Sequence, residues 1–207
     1  MIIKKVVTGN IAENCWIIGN EQTKTAIIID PGDDANKIID AINDLKLEPL
    51  IILNTHGHPD HIGAASDIQD KFDILFRIHK EEKNVMEVAA PMAKMLGFEN
   101  FRLPKVSSFI SEENIIIEGF NVKVLFTPGH SPGGVCFLIG EHLFSGDTLF
   151  YRSIGRTDLP GGDWNSMSNS LRKLSKLPEN TKVYPGHGLE TTIREELNNN
   201  QFMQDLF

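Results

Sequence analysis

Between positions 53 and 63 the chain reads Leu53-Asn54-Thr55-His56-Gly57-His58-Pro59-Asp60-His61-Ile62-Gly63, and no other stretch constrains the fold as strongly. It follows Leu50-Ile51-Ile52-Leu53, a short aliphatic run with the length of a buried strand. Gly57, Pro59 and Gly63 then break the chain, and Ala64-Ala65-Ser66-Asp67-Ile68 reads as the start of a helix. His56 and His58 share a face if the backbone is extended, whereas Asp60 and His61 lie past the turn and point elsewhere. The cluster therefore divides into two ligand sets. Imidazole suits Zn and Fe, and a carboxylate adds a hard oxygen and negative charge. One isolated His would read as a surface or core residue. Four metal-type side chains within six residues, at the end of a buried strand, read as a metal site.

Three more candidates follow strand-like runs, each beside glycine. His130 lies in Thr127-Pro128-Gly129-His130-Ser131, Asp147 in Ser145-Gly146-Asp147-Thr148, and His187 in Pro185-Gly186-His187-Gly188. Taken singly, each marks a turn. Together with the first cluster they bring His or Asp from several strand ends to one edge, which is how a preorganised metal site is built. The set is too large for one Zn²⁺, which in catalytic sites takes three protein ligands plus water. It fits two divalent ions, Zn, Fe or Mn, if one carboxylate bridges. His56, His58 and His130 would hold the first ion, Asp60, His61 and His187 the second, and Asp147 would bridge. Two metals about 3.5 Å apart make hydroxide available from a shared water, and they polarise a carbonyl oxygen. The chemistry implied is hydrolysis by a metal-bridging hydroxide, with Asp60 and Asp147 catalytic as well as ligating. Asp30, ending a strand near the site, is placed either to orient a ligand or to cap a turn. His79 reads as a surface or packing residue and His142 as part of a turn.

The surrounding pattern is β-rich, α, β-rich, α. Strands are expected at 2–7, 15–18, 26–29, 50–53 and 74–78, with helices over 35–47, from the motif to 72, and over 81–96 where Pro91 should kink or break the run. A loop is expected over 100–113. Strands follow at 115–117, 122–126, 135–139 and 142–144, an ordered loop at 152–163, a helix at 164–177, a strand at 182–184 and a terminal helix from about 192. This order suggests a four-layer αββα sandwich: two related halves, each a sheet with helices on its outer face, forming a single domain over 1–207.

Composition sets limits on partners. Of 207 residues, 41% are hydrophobic and 23% charged, as in ordinary soluble proteins. Lys plus Arg is 20 and Asp plus Glu is 28, so the net charge is 20 − 28 = −8. An acidic chain with no basic run argues against nucleic acid. No stretch reaches membrane-spanning length, and Met1 to Val7 lacks a signal-peptide pattern. Cys15 and Cys136 have no metal spacing and read as small apolar residues, which with the missing signal points to the cytoplasm.

The order His56-Gly57-His58-Pro59-Asp60-His61, Gly129-His130, Gly146-Asp147, Gly186-His187 resembles the metallo-β-lactamase superfamily, over roughly Asp30 to His187. The resemblance implies the same αββα sandwich with the metals at one edge. Class B1 β-lactamases place Cys where this chain has Asp147, and flavodiiron proteins carry Glu where His58 stands. The best match is to short-form glyoxalase II-like hydrolases, which implies a small-molecule thioester such as an S-acylglutathione as substrate. Two departures stand out. Glyoxalase II proper adds a C-terminal helical domain, whereas here 207 − 187 = 20 residues follow His187. Its substrate loop carries Gly-Cys-Gly-Lys/Arg, whereas this chain has Ser153-Ile154-Gly155-Arg156-Thr157-Asp158. Gly-Arg-Thr-Asp also recurs in persulfide dioxygenases, which hold one Fe(II) by residues matching His56, His130 and Asp147. Arg156 is a candidate for binding a substrate carboxylate or, equally, for an ion pair with Asp158; Tyr151 and Arg152 are further candidates for the cleft.

Overall fold

β-Branched residues crowd the first half of the chain, and they favour the pleated backbone because two heavy atoms on Cβ restrict χ1. In the computed structural model, which describes residues 1–112 and 114–206, the contacts divide the chain into two compact units. Unit 1 is 1–110 with 117–120, and unit 2 is 111–116 with 121–207.

The strands of unit 1 are β1 (Ile2–Thr8), β2 (Glu13–Gly19), β3 (Thr25–Ile29), β4 (Glu48–Leu53), β5 (Leu75–His79) and β6 (Ser108–Ile110), paired in that order in one sheet. β1, β2 and β3 pair antiparallel, and from β3 onward the pairs are parallel. Parallel neighbours need crossovers. These are α1 (Ala35–Leu45), then α2 (Pro59–Ile62) with α3 (Ala65–Phe72), then α4 (Lys83–Glu87) with α5 (Ala89–Met95). Ile38 and Ile42 of α1 and Ile68 of α3 join Cys15, Ile17, Ile28, Ile52, Phe76 and Ile78 in one buried core. β3 and β4 run parallel, so Asp30 and the histidine motif leave the same edge of the sheet.

The run expected as a helix over 81–96 is divided at Val88. Pro91 sits in the first turn of α5, where its missing N–H costs nothing; continuing α4 through it would have lost the bond to the Glu87 carbonyl. Within the expected loop over 100–113, β6 forms a parallel edge strand on β5, too short to show a period; Glu113 lies outside the described residues.

Sheet two contains β7 (Asn114–Ile117), β8 (Phe120–Phe126), β9 (Val135–Ile139), β10 (His142–Gly146), β13 (Lys182–Pro185) and β14 (Thr191–Thr192), ordered β14-β13-β10-β9-β8-β7. A small hairpin, β11 (Leu149–Phe150) with β12 (Ser153–Ile154), overlaps the region expected as loop. The crossover between β10 and its parallel neighbour β13 is α6 (Trp164–Leu174). The expected terminal helix is two, α7 (Ile193–Asn199) and α8 (Gln201–Gln204), because Asn200 is extended. Met167, Leu171 and Leu174 of α6, Ile193 of α7 and Met203 of α8 pack with Leu125, Cys136, Leu143 and Val183.

His142 opens β10 rather than lying in a turn, with Nδ1 2.9 Å from the Tyr184 hydroxyl. His79 ends β5 and is buried, so the packing half of its reading holds. Cys15 and Cys136 are both buried and are not joined in a disulfide. Among the described residues no helix is long and apolar enough to cross a membrane.

Candidate metal centre

In unit 1 the motif begins on extended backbone and ends on a helix. His58 is extended and caps α2, and Pro59 takes the first helical position, where its fixed φ is already suitable. This switch puts His56 and His58 on one side of the turn and Asp60 and His61 on the other. The rings of His56 and His58 meet edge to face at 4.8 Å, and those of His56 and His61 lie 4.1 Å apart. All three histidines are buried.

Asp30 lies under this turn, one residue beyond β3, with φ +50°, a left-handed conformation that Asp tolerates. Its Oδ1 accepts the Thr55 N–H at 2.7 Å, and its Oδ2 accepts the Thr55 hydroxyl at 2.5 Å. His61 Nδ1 lies 3.0 Å from the same Oδ2. A carboxylate only accepts, so the proton of this imidazole is on Nδ1 and the lone pair on Nε2. The Thr55 hydroxyl has spent its hydrogen on Asp30, so at 3.1 Å from His56 Nδ1 it can only accept. His56 is thereby also fixed with its lone pair on Nε2.

Three further buried groups hold the motif: Asn54 within it, and Glu13 and Glu82, which no sequence pattern marks as functional. Asn54 Nδ2 donates to the carbonyls of His56 and His61 at 3.2 and 2.9 Å. Glu82, fully buried, accepts the Gly57 N–H at 2.8 Å. Glu13 takes the Thr8 hydroxyl at 2.7 Å on one oxygen, and the other lies 3.9 Å from His61 Nδ1. Burial pushes the Glu13 carboxyl well above the usual range. Gly32 closes the arrangement: a Cβ there would sit 1.8 Å from the Asp60 carbonyl oxygen and 2.6 Å from Glu13.

Unit 2 supplies His130 after β8, Asp147 after β10 and His187 after β13. His130 Nδ1 lies 2.8 Å from the Arg156 carbonyl oxygen, which again leaves the lone pair on Nε2. That Nε2 is 3.5 Å from Asp147 Oδ2, and His187 Nε2 is 3.7 Å from the same oxygen. In unit 1 the separation from His61 Nε2 to Asp60 Oδ2 is 3.6 Å. These distances exceed a hydrogen bond. They match the spacing of two ligands about 2.1 Å from a shared tetrahedral ion, roughly 3.4 Å. The donor chemistry, neutral imidazole Nε2 with carboxylate oxygen, suits a divalent metal. Within unit 1, Asp30, His56 and His61 also offer ligand atoms lying within 4.8 Å of one another, but the hydrogen bonds of Asp30 make it the support of the other two.

The remaining candidates lie on or beside the hairpin. The Arg156 guanidinium makes a two-pronged pair with Asp158, both contacts 2.8 Å and both side chains exposed. The Arg152 guanidinium lies 5.0 Å over the Tyr151 ring and pairs with Glu195 at 2.8 Å. Tyr151 and Arg152 line a cavity of about 490 Å³ with Lys182, Tyr184, Glu190 and Thr191.

A family model described as the metallo-beta-lactamase superfamily matches residues 8–187. The chain is 36% identical over 202 residues to the hydroxyacylglutathione hydrolase GloC of Haemophilus influenzae, covering 92% of each. It superposes on the crystal structure of BLEG-1 B3 metallo-beta-lactamase with a TM-score of 0.91 and 39% identity, over 98% of this chain and 99% of that one. The crystal structure of TTHA1623 in a di-iron-bound form matches with a TM-score of 0.87 and 37% identity, over 96% and 99% of the two chains.

Proposed function

This chain belongs to the metallo-β-lactamase superfamily and has its mixed α/β fold with two sheets, and from that premise we propose that it is a dinuclear metallohydrolase of thioesters such as S-acylglutathione. The observation that carries the reading is the commitment of Nδ1 in His56, His61 and His130, which leaves three Nε2 lone pairs as ligands. His56, His58 and His130 would hold one ion and Asp60, His61 and His187 the other, with Asp147 as the carboxylate available to both. The di-iron form of a relative supports two ions; their identity, Zn, Fe or Mn, is left to measurement. When bound, the ions supply Lewis acidity toward the carbonyl and a hydroxide at neutral pH.

The chain's own residues do the rest. Asp60 would orient the attacking hydroxide as well as help hold an ion. Asp30, through His61 and Thr55, keeps two imidazoles in the tautomer that can ligate. Arg156, exposed and in an ion pair with the exposed Asp158, can exchange that partner for a substrate carboxylate at little cost. Arg152 is tied to Glu195, and none of the proposed ligands lines the cavity that it shares with Tyr151. The hydrolase relative supports the thioester as substrate.

A second reading, a mononuclear Fe(II) persulfide dioxygenase using His56, His130 and Asp147, draws on Gly155-Arg156-Thr157-Asp158. The deciding experiment assays metal-loaded protein on S-acylglutathiones, on glutathione persulfide with an oxygen electrode, and on a β-lactam. Thioester turnover that dominates the other two supports the proposal. Oxygen uptake without thioester cleavage, or β-lactam cleavage alone, overturns it.

A further inference from the structure

The hairpin β11–β12 and the two residues that follow it lie against His130, Asp147 and His187. The Arg156 carbonyl, just past β12, holds His130 Nδ1 at 2.8 Å. Gly155 lies on the Asp147 backbone so closely that a Cβ there would be 1.8 Å from the Asp147 carbonyl oxygen and 3.1 Å from His130 Cγ. Phe150 of β11 presents its ring edge-on to His187, with centroids 6.1 Å apart and an interplanar angle of 89°. The hairpin itself is slight. It pairs Leu149 with Ile154 and Phe150 with Ser153, and Arg152 in its turn has φ +54°. A two-stranded hairpin is at best marginally stable alone, so its position has to be imposed from outside.

The C-terminal helices impose it. Glu196 of α7 is fully buried and accepts the Arg152 N–H at 2.8 Å, the Thr191 hydroxyl at 2.6 Å and Asn200 Nδ2 at 2.8 Å. Asn200, also fully buried, donates from Nδ2 to the Ser153 carbonyl at 3.0 Å and accepts the Phe202 N–H at 3.1 Å. The break between α7 and α8 therefore falls where a side chain is needed to reach the hairpin. The Arg152 side chain adds a contact to Glu195 at 2.9 Å.

We infer that Glu196 and Asn200 are positioning residues for the metal ligands of unit 2, acting through the β11–β12 hairpin and above all through the Arg156 carbonyl on His130. The inference rests on the metal reading. It gives the C-terminal helices a part in ligand geometry although none of their residues is a ligand. It also assigns Arg156 a main-chain role independent of its guanidinium.

The test uses the full chain, metal-free, titrated with Zn²⁺ against a competing chelator, with thermal unfolding and ¹⁵N spectra of the histidine rings read in parallel. Glu196→Ala and Asn200→Ala are each expected to weaken the apparent Zn²⁺ affinity roughly tenfold or more. His130 is expected to change from one Nδ1–H tautomer to a mixture. Arg194→Ala, which removes from α7 an exposed pair with Glu179, is expected to keep both affinity and tautomer. Asn200→Ala is the variant read if Glu196→Ala does not fold. Parental affinity and an unchanged His130 tautomer in folded Asn200→Ala overturn the inference while leaving the metal reading intact. No Zn²⁺ binding by the parent chain overturns the metal reading itself, and the inference with it.

Discussion

Asp30 Oδ2 lies 3.0 Å from His61 Nδ1, and the same oxygen takes the hydroxyl of Thr55, which accepts in turn from His56. One buried carboxylate thus sets the tautomer of two imidazoles that stand on different sides of the motif turn. A histidine ligates only through a nitrogen that carries no proton, so this relationship bears on metal affinity without a bond from Asp30 to metal.

Asp30→Asn puts an amide N–H where an acceptor is required, facing the Thr55 and His61 donors. Metal affinity is expected to fall roughly 10- to 100-fold, measured by chelator competition. Unfolding in denaturant should show a loss of about 1–3 kcal/mol from the orphaned donors. An Asn variant with full affinity would contradict the tautomer role.

Glu82 acts on the motif through the Gly57 N–H. Glu82→Gln keeps a carbonyl oxygen for that N–H, whereas Glu82→Ala leaves it buried and unmet. The Ala variant is therefore expected to lose about 1–3 kcal/mol of stability and part of its bound metal, with Gln recovering most of both. Equal losses in the two variants, by unfolding and elemental analysis, would show that charge rather than the hydrogen bond matters.

The contrast between these residues explains what the sequence could reveal. His56, His58, Asp60 and His61 were legible because metal-type side chains crowd one strand-to-helix turn, and His130, Asp147 and His187 because each follows a strand beside glycine. Asp30 was visible from its place at a strand end. Glu13 and Glu82 were not, since each meets the motif from a distant part of the chain and its own neighbourhood looks like an ordinary strand or polar helix. The two-sheet α/β fold was legible in the order of aliphatic runs and helical periods. The short β6 and the β11–β12 hairpin were not, because two or three residues establish no period and tertiary pairing alone fixes them. Pro91 announced a break, but its tolerance in a first turn moved the break upstream to Val88.

The Arg156–Asp158 pair holds the Asp158 carboxyl down at about 2. Both residues are exposed, so the pair contributes little to stability and can be exchanged. Arg156→Ala is expected to raise KM for a carboxylate-bearing thioester with kcat nearly unchanged, the signature of lost uniform binding. Asp158→Ala, which frees the guanidinium, is expected to lower KM. A rise in KM of the same size in both variants would assign Arg156 to loop order alone.

At the opposite end of β10 from Asp147, burial and then the charge of Lys182 hold the His142 imidazole below the usual histidine range. With a depressed pKa the folded chain binds fewer protons than the unfolded one between the two values. The contribution of His142 to stability is thus present above the unfolded pKa, about 6.5, and is lost as pH falls through the folded value. Thermal unfolding of the metal-free protein should fall on the acid side in the parent and fall less in His142→Gln. Parallel curves would exclude His142 as the source.

Metal stoichiometry of the purified protein, as atoms of each metal per chain after reconstitution with Zn, Fe or Mn, bears on everything above. Two ions per chain are expected, falling in Asp147→Ala together with thioester turnover. A single iron at saturation would contradict the dinuclear hydrolase and favour the dioxygenase, and no bound metal would contradict both.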